Sequence, residues 1–201
     1  MSYRVAVLGT RHVGKTAIIS QFRQKGFKDD VSIYDIQREV FKTHNALLHL
    51  DIVDASGIYR AFPMLKGSIN NCDAFMLVYS VDDQDSFEVM QRLRHEIIEL
   101  KMDKNVPIVF VANKQDLPDD KKVVSSKTAE YLIRRKWRHG YVEASSSNYD
   151  QVCEAFKQIV RQLTPNVSLT PVLKKRKESA PEQEQRGLPT LLNRLLKRGS
   201  I

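Results

Sequence analysis

Two cysteines, Cys72 and Cys153, are all that 201 residues contain. Both sit in segments that read as buried or helical, so no disulfide framework is expected and the setting is read as reducing and intracellular. No apolar run reaches the roughly 18 residues that a transmembrane helix needs, and the amino terminus opens on a strand rather than a charged and then apolar leader. The expectation is a protein without a membrane span or a secretory signal. No cysteine follows Cys153, so a C-a-a-X prenylation box is not expected, and Ser2 in place of glycine argues against N-myristoylation. Acidic residues are the minority, 24 against 32 Lys and Arg, for a formal net charge of +8.

What is present suits one α/β domain with an appendage. The apolar content of 42% can bury a core, and the length leaves no room for a second catalytic domain. The charge is uneven: residues 165–201 hold eight Lys or Arg and three Glu, and so supply most of the excess. A basic tail outside the folded part points to a charged surface or an acidic partner rather than to nucleic acid, which is not an expected ligand.

Residues 9–16, Gly9-Thr10-Arg11-His12-Val13-Gly14-Lys15-Thr16, form a complete G-x-x-x-x-G-K-[ST] phosphate loop directly after the apolar run Val5–Leu8. Its glycines let the backbone fold tightly, so that N–H groups point at phosphate oxygens, and the helix that begins near Gly14 adds the positive end of its dipole. Lys15 is placed against the β and γ phosphates and Thr16 offers a hydroxyl to Mg²⁺, with Ala17 next in the set.

Periodicity and punctuation predict strands at about 3–9, 36–42, 46–53, 74–80, 108–112 and 141–144, and helices at about 15–25, 86–102, 125–137 and 149–163. Asp85 or Ser86 is the expected cap of the second helix, and 54–73 is read as a loop before the next strand. Five strands alternate with helices and are apolar enough to be covered on both faces. The fold class is therefore α/β, with a six-stranded, mostly parallel sheet, one antiparallel edge strand, and helices on both faces. Ligands of such sheets bind beyond the carboxyl ends of the strands. Pro165 closes the last helix, giving a domain at 1–164 and a tail at 165–201.

Beyond two of those carboxyl ends stand Asn113-Lys114-Gln115-Asp116, an N-K-x-D element, and Ser145-Ser146-Ser147. Guanine presents an N1–H and a 2-amino donor, and a fixed carboxylate such as Asp116 can accept from both. With the phosphate loop and Asp54-Ala55-Ser56-Gly57, which matches D-x-x-G, this order resembles the Ras-like small GTPases over about residues 3–163. The resemblance implies a P-loop NTPase G domain that binds GTP or GDP with Mg²⁺. It also implies that Lys114 packs on one face of the base and Phe27 on the other, that Asn113 ties the base loop to the phosphate loop, and that the Ser146 N–H meets guanine O6. Asp54 would hold Mg²⁺ through water, and Gly57 would give its N–H to the γ-phosphate.

The departures from the family are specific. The position of the glutamine that orients the attacking water is Ile58, which has no donor or acceptor. Where Ras has adjacent glycines this chain has Arg11 and His12. Arg11 admits three readings: obstruction of the water, an internal arginine finger, or a solvent-facing side chain with no role. Ser32 is the best match to the threonine that ligates Mg²⁺, and it equally reads as an ordinary loop residue; Ser147 replaces the usual lysine. These changes, with the segment Ile133–Tyr141, look more like the divergent Dexras/Rhes-like and Ras-like-10-type members than like Ras. Trp137 reads as a packing residue.

In the tail, Lys174-Lys175-Arg176-Lys177 reads as solvated linker, membrane contact or nuclear import signal. Leu188, Leu191, Leu192 and Leu195 share one face of a possible helix over 188–198, opposite Arg194, Lys197 and Arg198, which suits an anionic membrane or a partner's groove. The expectation is a monomeric switch in the cytoplasm, with peripheral membrane or nuclear location open, that meets effectors and regulators through loops 27–38 and 54–68. Its hydrolysis is expected to be slow, with Lys15 as the catalytic cation. The competing reading is a non-hydrolysing module that stays GTP-bound or serves as a scaffold. A P-loop kinase or ATPase is disfavoured by Asp116.

Overall fold

A computed structural model describes residues 1–24, 36–42, 47–55, 62–165 and 170–171. The element order is β1 (Ser2–Leu8), α1 (Lys15–Gln24), β2 (Ile36–Lys42), β3 (Leu47–Asp54), α2 (Phe62–Asn70), β4 (Ala74–Ser80), α3 (Gln84–Lys101), β5 (Ile108–Asn113), α4 (Ser126–Glu130), a π-helical turn (Tyr131–Lys136), β6 (Gly140–Glu143), α5 (Tyr149–Leu163) and β7 (Thr170–Pro171). The sheet order is β6-β5-β4-β1-β3-β2-β7. β1 pairs in parallel with both β3 and β4, while β2 runs antiparallel to β3.

Alternation along the central strands explains why both faces are covered. Val5 and Val7 of β1, Met76 and Val78 of β4, and Val109 and Val111 of β5 join one core with α1 and α5. The residues between them, Ala6, Leu8, Phe75, Leu77, Tyr79, Phe110 and Ala112, join the opposite core with α2 and α3. A strand whose two faces are both apolar cannot lie at a solvated surface, so helices must close it on each side. In the first core Phe22 of α1 stacks on Phe156 of α5, with ring centroids 3.9 Å apart. Among the described residues no helix is long and apolar enough to cross a membrane.

Four expectations change. The sheet has a seventh strand: Thr170–Pro171 pairs antiparallel with β2, so β2 is not the edge. The stretch read as a loop before β4 contains α2, whose Leu65 and Ile69 lie one turn apart and are both buried in the second core. Asp83, not Asp85 or Ser86, caps α3, its carboxylate accepting from the Ser86 N–H at 3.0 Å. The helix expected over 125–137 is α-helical only to Glu130 and continues as a π turn, with the Trp137 N–H on the Leu132 carbonyl at 3.0 Å.

The π turn widens the helix by one residue per turn, and its exit is tight. Arg138 adopts a left-handed φ of 60°, and the His139 N–H closes back on the Ile133 carbonyl at 3.0 Å. This swings His139 inward against Phe110, leaving it 8% exposed. Burial, with the positive charge of Arg94 beside it, pushes the imidazole down to about 4 from 6.5. The folded value lies below the unfolded one, so the neutral ring's contribution is complete above pH 6.5 and is lost as pH falls toward 4. The stability advantage of wild type over His139→Leu should therefore shrink by about 3 kcal/mol between pH 7 and pH 4. Urea unfolding of both proteins across that range measures the difference; parallel profiles would contradict it.

Candidate functional site

The loops after β1, β3, β5 and β6 all leave the carboxyl edge of the sheet, and the parallel register brings them together. β1 ends between β3 and β4, where the strand order reverses, and the phosphate loop starts there. Gly9 is fixed by space: a Cβ on it would lie 2.4 Å from the Val78 carbonyl oxygen. Gly14 is fixed by conformation and space together, with φ of +95° and a Cβ position 2.2 Å from Asn113 Nδ2. His12 also takes a left-handed φ of 64°, an unusual conformation for a residue with a full side chain, whereas glycine adopts it freely.

Lys15 is buried, and its ammonium donates to the Thr10 carbonyl at 2.6 Å. Burial lowers its pKa, and the Asp54 carboxylate opposes that shift. The Thr10 hydroxyl is buried without a hydrogen-bond partner among the described residues, which leaves a donor within the loop itself. Arg11 and His12 are exposed at the loop's crest, whereas Val13 is fully buried beneath it. Ala17 is exposed on the first turn of α1.

Thr16 and Asp54 meet: the Thr16 hydroxyl donates to Asp54 Oδ2 at 2.8 Å. An oxygen pair of one hydroxyl and one carboxylate suits Mg²⁺, which keeps most of its shell as water and phosphate oxygens and asks few ligands of the protein. Among the described residues no group of three or more His, Cys, Asp or Glu side chains could hold a metal by itself, so a protein-only metal centre is not built there.

Asn113, wholly buried at the end of β5, bridges the two halves of the site. Its amide nitrogen donates to the Val13 carbonyl at 2.7 Å, and its amide oxygen accepts from the Ser146 N–H at 3.0 Å. The Ser146 N–H is therefore already engaged, and guanine O6 would have to share it. The base loop is braced further by the Gln115 N–H on the Ala144 carbonyl at 3.1 Å. Lys114 holds a left-handed φ of 66°, and its ammonium pairs with Asp82 at 3.3 Å. The Ser80 hydroxyl and then Lys114 hold the Asp82 carboxyl below its usual range. Asp116 is exposed one turn beyond, open to a ligand.

Several supporting residues escape motif reading. Gln151 accepts from the Ser145 N–H at 2.8 Å, Gln21 donates to the Ser147 carbonyl at 3.0 Å, and the Ser145 and Ser147 hydroxyls lie 2.6 Å apart. The only sequence signal for Asp82 is a polar residue just past a strand's carboxyl end. Phe27, Ser32, Gly57 and Ile58 lie outside the described residues, as do most of loop 27–38 and residues 56–61 of the other switch.

Because Asn113 satisfies one buried carbonyl and one N–H, its removal strands both. Asn113→Ala is expected to destabilise the fold by about 2–4 kcal/mol, and Asn113→Asp by at least as much, because it keeps the acceptor for Ser146 but sets a buried carboxylate oxygen against the Val13 carbonyl. Denaturant midpoints of the two variants test this; equal and negligible losses would contradict the bridge.

The Ras family profile matches residues 4–165, the whole stretch that carries these loops. The GTP-binding protein Rhes of Mus musculus is 35% identical to the chain over 165 residues, covering 77% of this chain and 62% of that protein, and Rhes of Rattus norvegicus gives the same values. The chain thus spans less than two thirds of the length of these relatives. With the phosphate loop, the bridged base loop and the strand order all in one place, the profile match shows that this chain belongs to the Ras family.

Proposed function

We propose that the chain is a guanine-nucleotide switch whose intrinsic GTP hydrolysis is slow. The observation that supports the guanine reading is the Asn113 bridge, which ties the N-K-x-D loop that carries Lys114 and Asp116 to the phosphate loop. Lys15 is the one cation buried in that loop, and on this reading it leaves the Thr10 carbonyl for the β and γ phosphates. Thr16 and Asp54 would hold Mg²⁺, which neutralises phosphate charge when bound. Lys15 then stabilises charge as it moves toward the leaving oxygen.

Slow turnover follows from two side chains. Ile58 cannot orient water, and Arg11 stands exposed where a side chain crowds the approach to the γ-phosphate. Loops 27–38 and 54–68 are the proposed effector surfaces, and the basic tail is a proposed contact for an anionic membrane or partner. Single-turnover hydrolysis of GTP by purified protein should be slow, and Ile58→Gln combined with Arg11→Gly should raise it at least tenfold. A wild-type rate equal to that of the double variant would contradict the account. No detectable hydrolysis by either protein, with GTP retained, would instead favour the permanently loaded module.

A further inference from the structure

At the opposite edge of the sheet from the phosphate loop, beside the amino-terminal end of β5, the carboxyl half of α3 and the exit of the π turn enclose a cleft of about 560 Å³. Its lining includes Arg94, Lys104, Lys136 and Arg138, and no aspartate or glutamate among the described residues. None of these four cations has an ion-pair partner among the described residues; His95, which also lines the cleft, turns to Glu99 at 3.1 Å, and the Lys136 ammonium lies 6.0 Å from the Tyr131 ring centroid. A cleft lined by four cations and by no carboxylate among the described residues carries a positive field that attracts anions.

The floor adds a second, independent observation. His139, 92% buried as the complement of its 8% exposure, lines the cleft with an Nε2 that has no hydrogen-bond partner. Arg94 sits over Trp137, its guanidinium carbon 4.7 Å from the ring centroid, and its Nε is likewise buried and unpartnered. Buried nitrogens without partners are uncommon and call for a water, an ion or a ligand group beside them. A guanidinium stacked on an aromatic ring is pre-oriented to present two parallel N–H groups to a phosphate.

We propose that this cleft binds a phosphate-bearing polyanion of the inositol-phosphate type, delivered either as a free solute or as a lipid headgroup. The size and the cation number exceed what one inorganic phosphate needs. Trp137 and Ile98 give the cleft an apolar wall that suits a carbon ring carrying several phosphates. Arg138 holds its left-handed backbone at the cleft's rim, where it carries the side chain into the lining.

The test is isothermal titration of the full chain with inositol hexakisphosphate at about 150 mM NaCl, in the presence of saturating GDP and Mg²⁺. One-site binding is expected, weakened at least tenfold by Lys104→Glu with Lys136→Glu, and within twofold of wild type when Lys174, Lys175, Arg176 and Lys177 are all changed to alanine. The ring Cε1–H resonance of His139 should shift on titration, which a purely structural histidine would not do. Binding that survives the two cleft reversals, disappears with the tail change, or is lost in Lys15→Ala places the ligand in the tail or the phosphate loop and overturns the proposal. Absence of binding overturns it as well. Sedimentation with phosphatidylcholine vesicles holding 5% phosphatidylinositol 4,5-bisphosphate separates the sources. Cleft-dependent pelleting identifies a headgroup, and binding of the solute without pelleting identifies a free phosphate.

Discussion

Everything at the carboxyl edge of this sheet depends on one buried amide. Asn113 donates to the phosphate loop and accepts from the serine loop, so two segments about 30 residues or more from it in sequence are held at one spacing. A buried amide is costly unless its hydrogen bonds are made, and here both ends are used. The same side chain forbids a Cβ on Gly14, which holds the loop backbone close against the end of β5. Fold stability and ligand geometry are thereby one constraint rather than two.

Around that anchor the chain keeps the phosphate-side chemistry and alters the crest. Lys15, Thr16 and Asp54 are positioned by β1, α1 and β3, elements with fully buried apolar residues. Arg11 and His12 stand where Ras itself has adjacent glycines, and His12 holds a φ of 64° that glycine would take without strain. A side chain kept at such a position is a local conflict of the kind that concentrates at functional sites. It is exposed beside Arg11 at the crest of the loop.

The central strands and the loops that follow them are legible in sequence because β1, β4 and β5 carry the apolar runs Val5–Leu8, Ala74–Tyr79 and Ile108–Ala112 and each motif is contiguous. The phosphate loop and N-K-x-D could be placed by number before any coordinates. What could not be read is what depends on proximity alone. Asp82 reaches Lys114 across 32 residues of sequence, and Gln21 braces Ser147 across 126. α2 is not legible because a nine-residue helix interrupted by Gly67 shows too few turns to reveal its period. β7 is two residues long and carries no alternation at all. The π turn begins with an ordinary helical spacing, and only the hydrogen bond of Trp137 to Leu132 exposes the extra residue. That extra residue turns His139 inward and thereby builds the basic cleft on the far edge.

The central claim is that the Asn113-anchored site selects guanine. The most direct measurement is to denature freshly purified full-length chain and identify the released nucleotide by ion-pair chromatography. The account predicts GDP or GTP at close to one per chain, whereas adenine nucleotides at that ratio would contradict it.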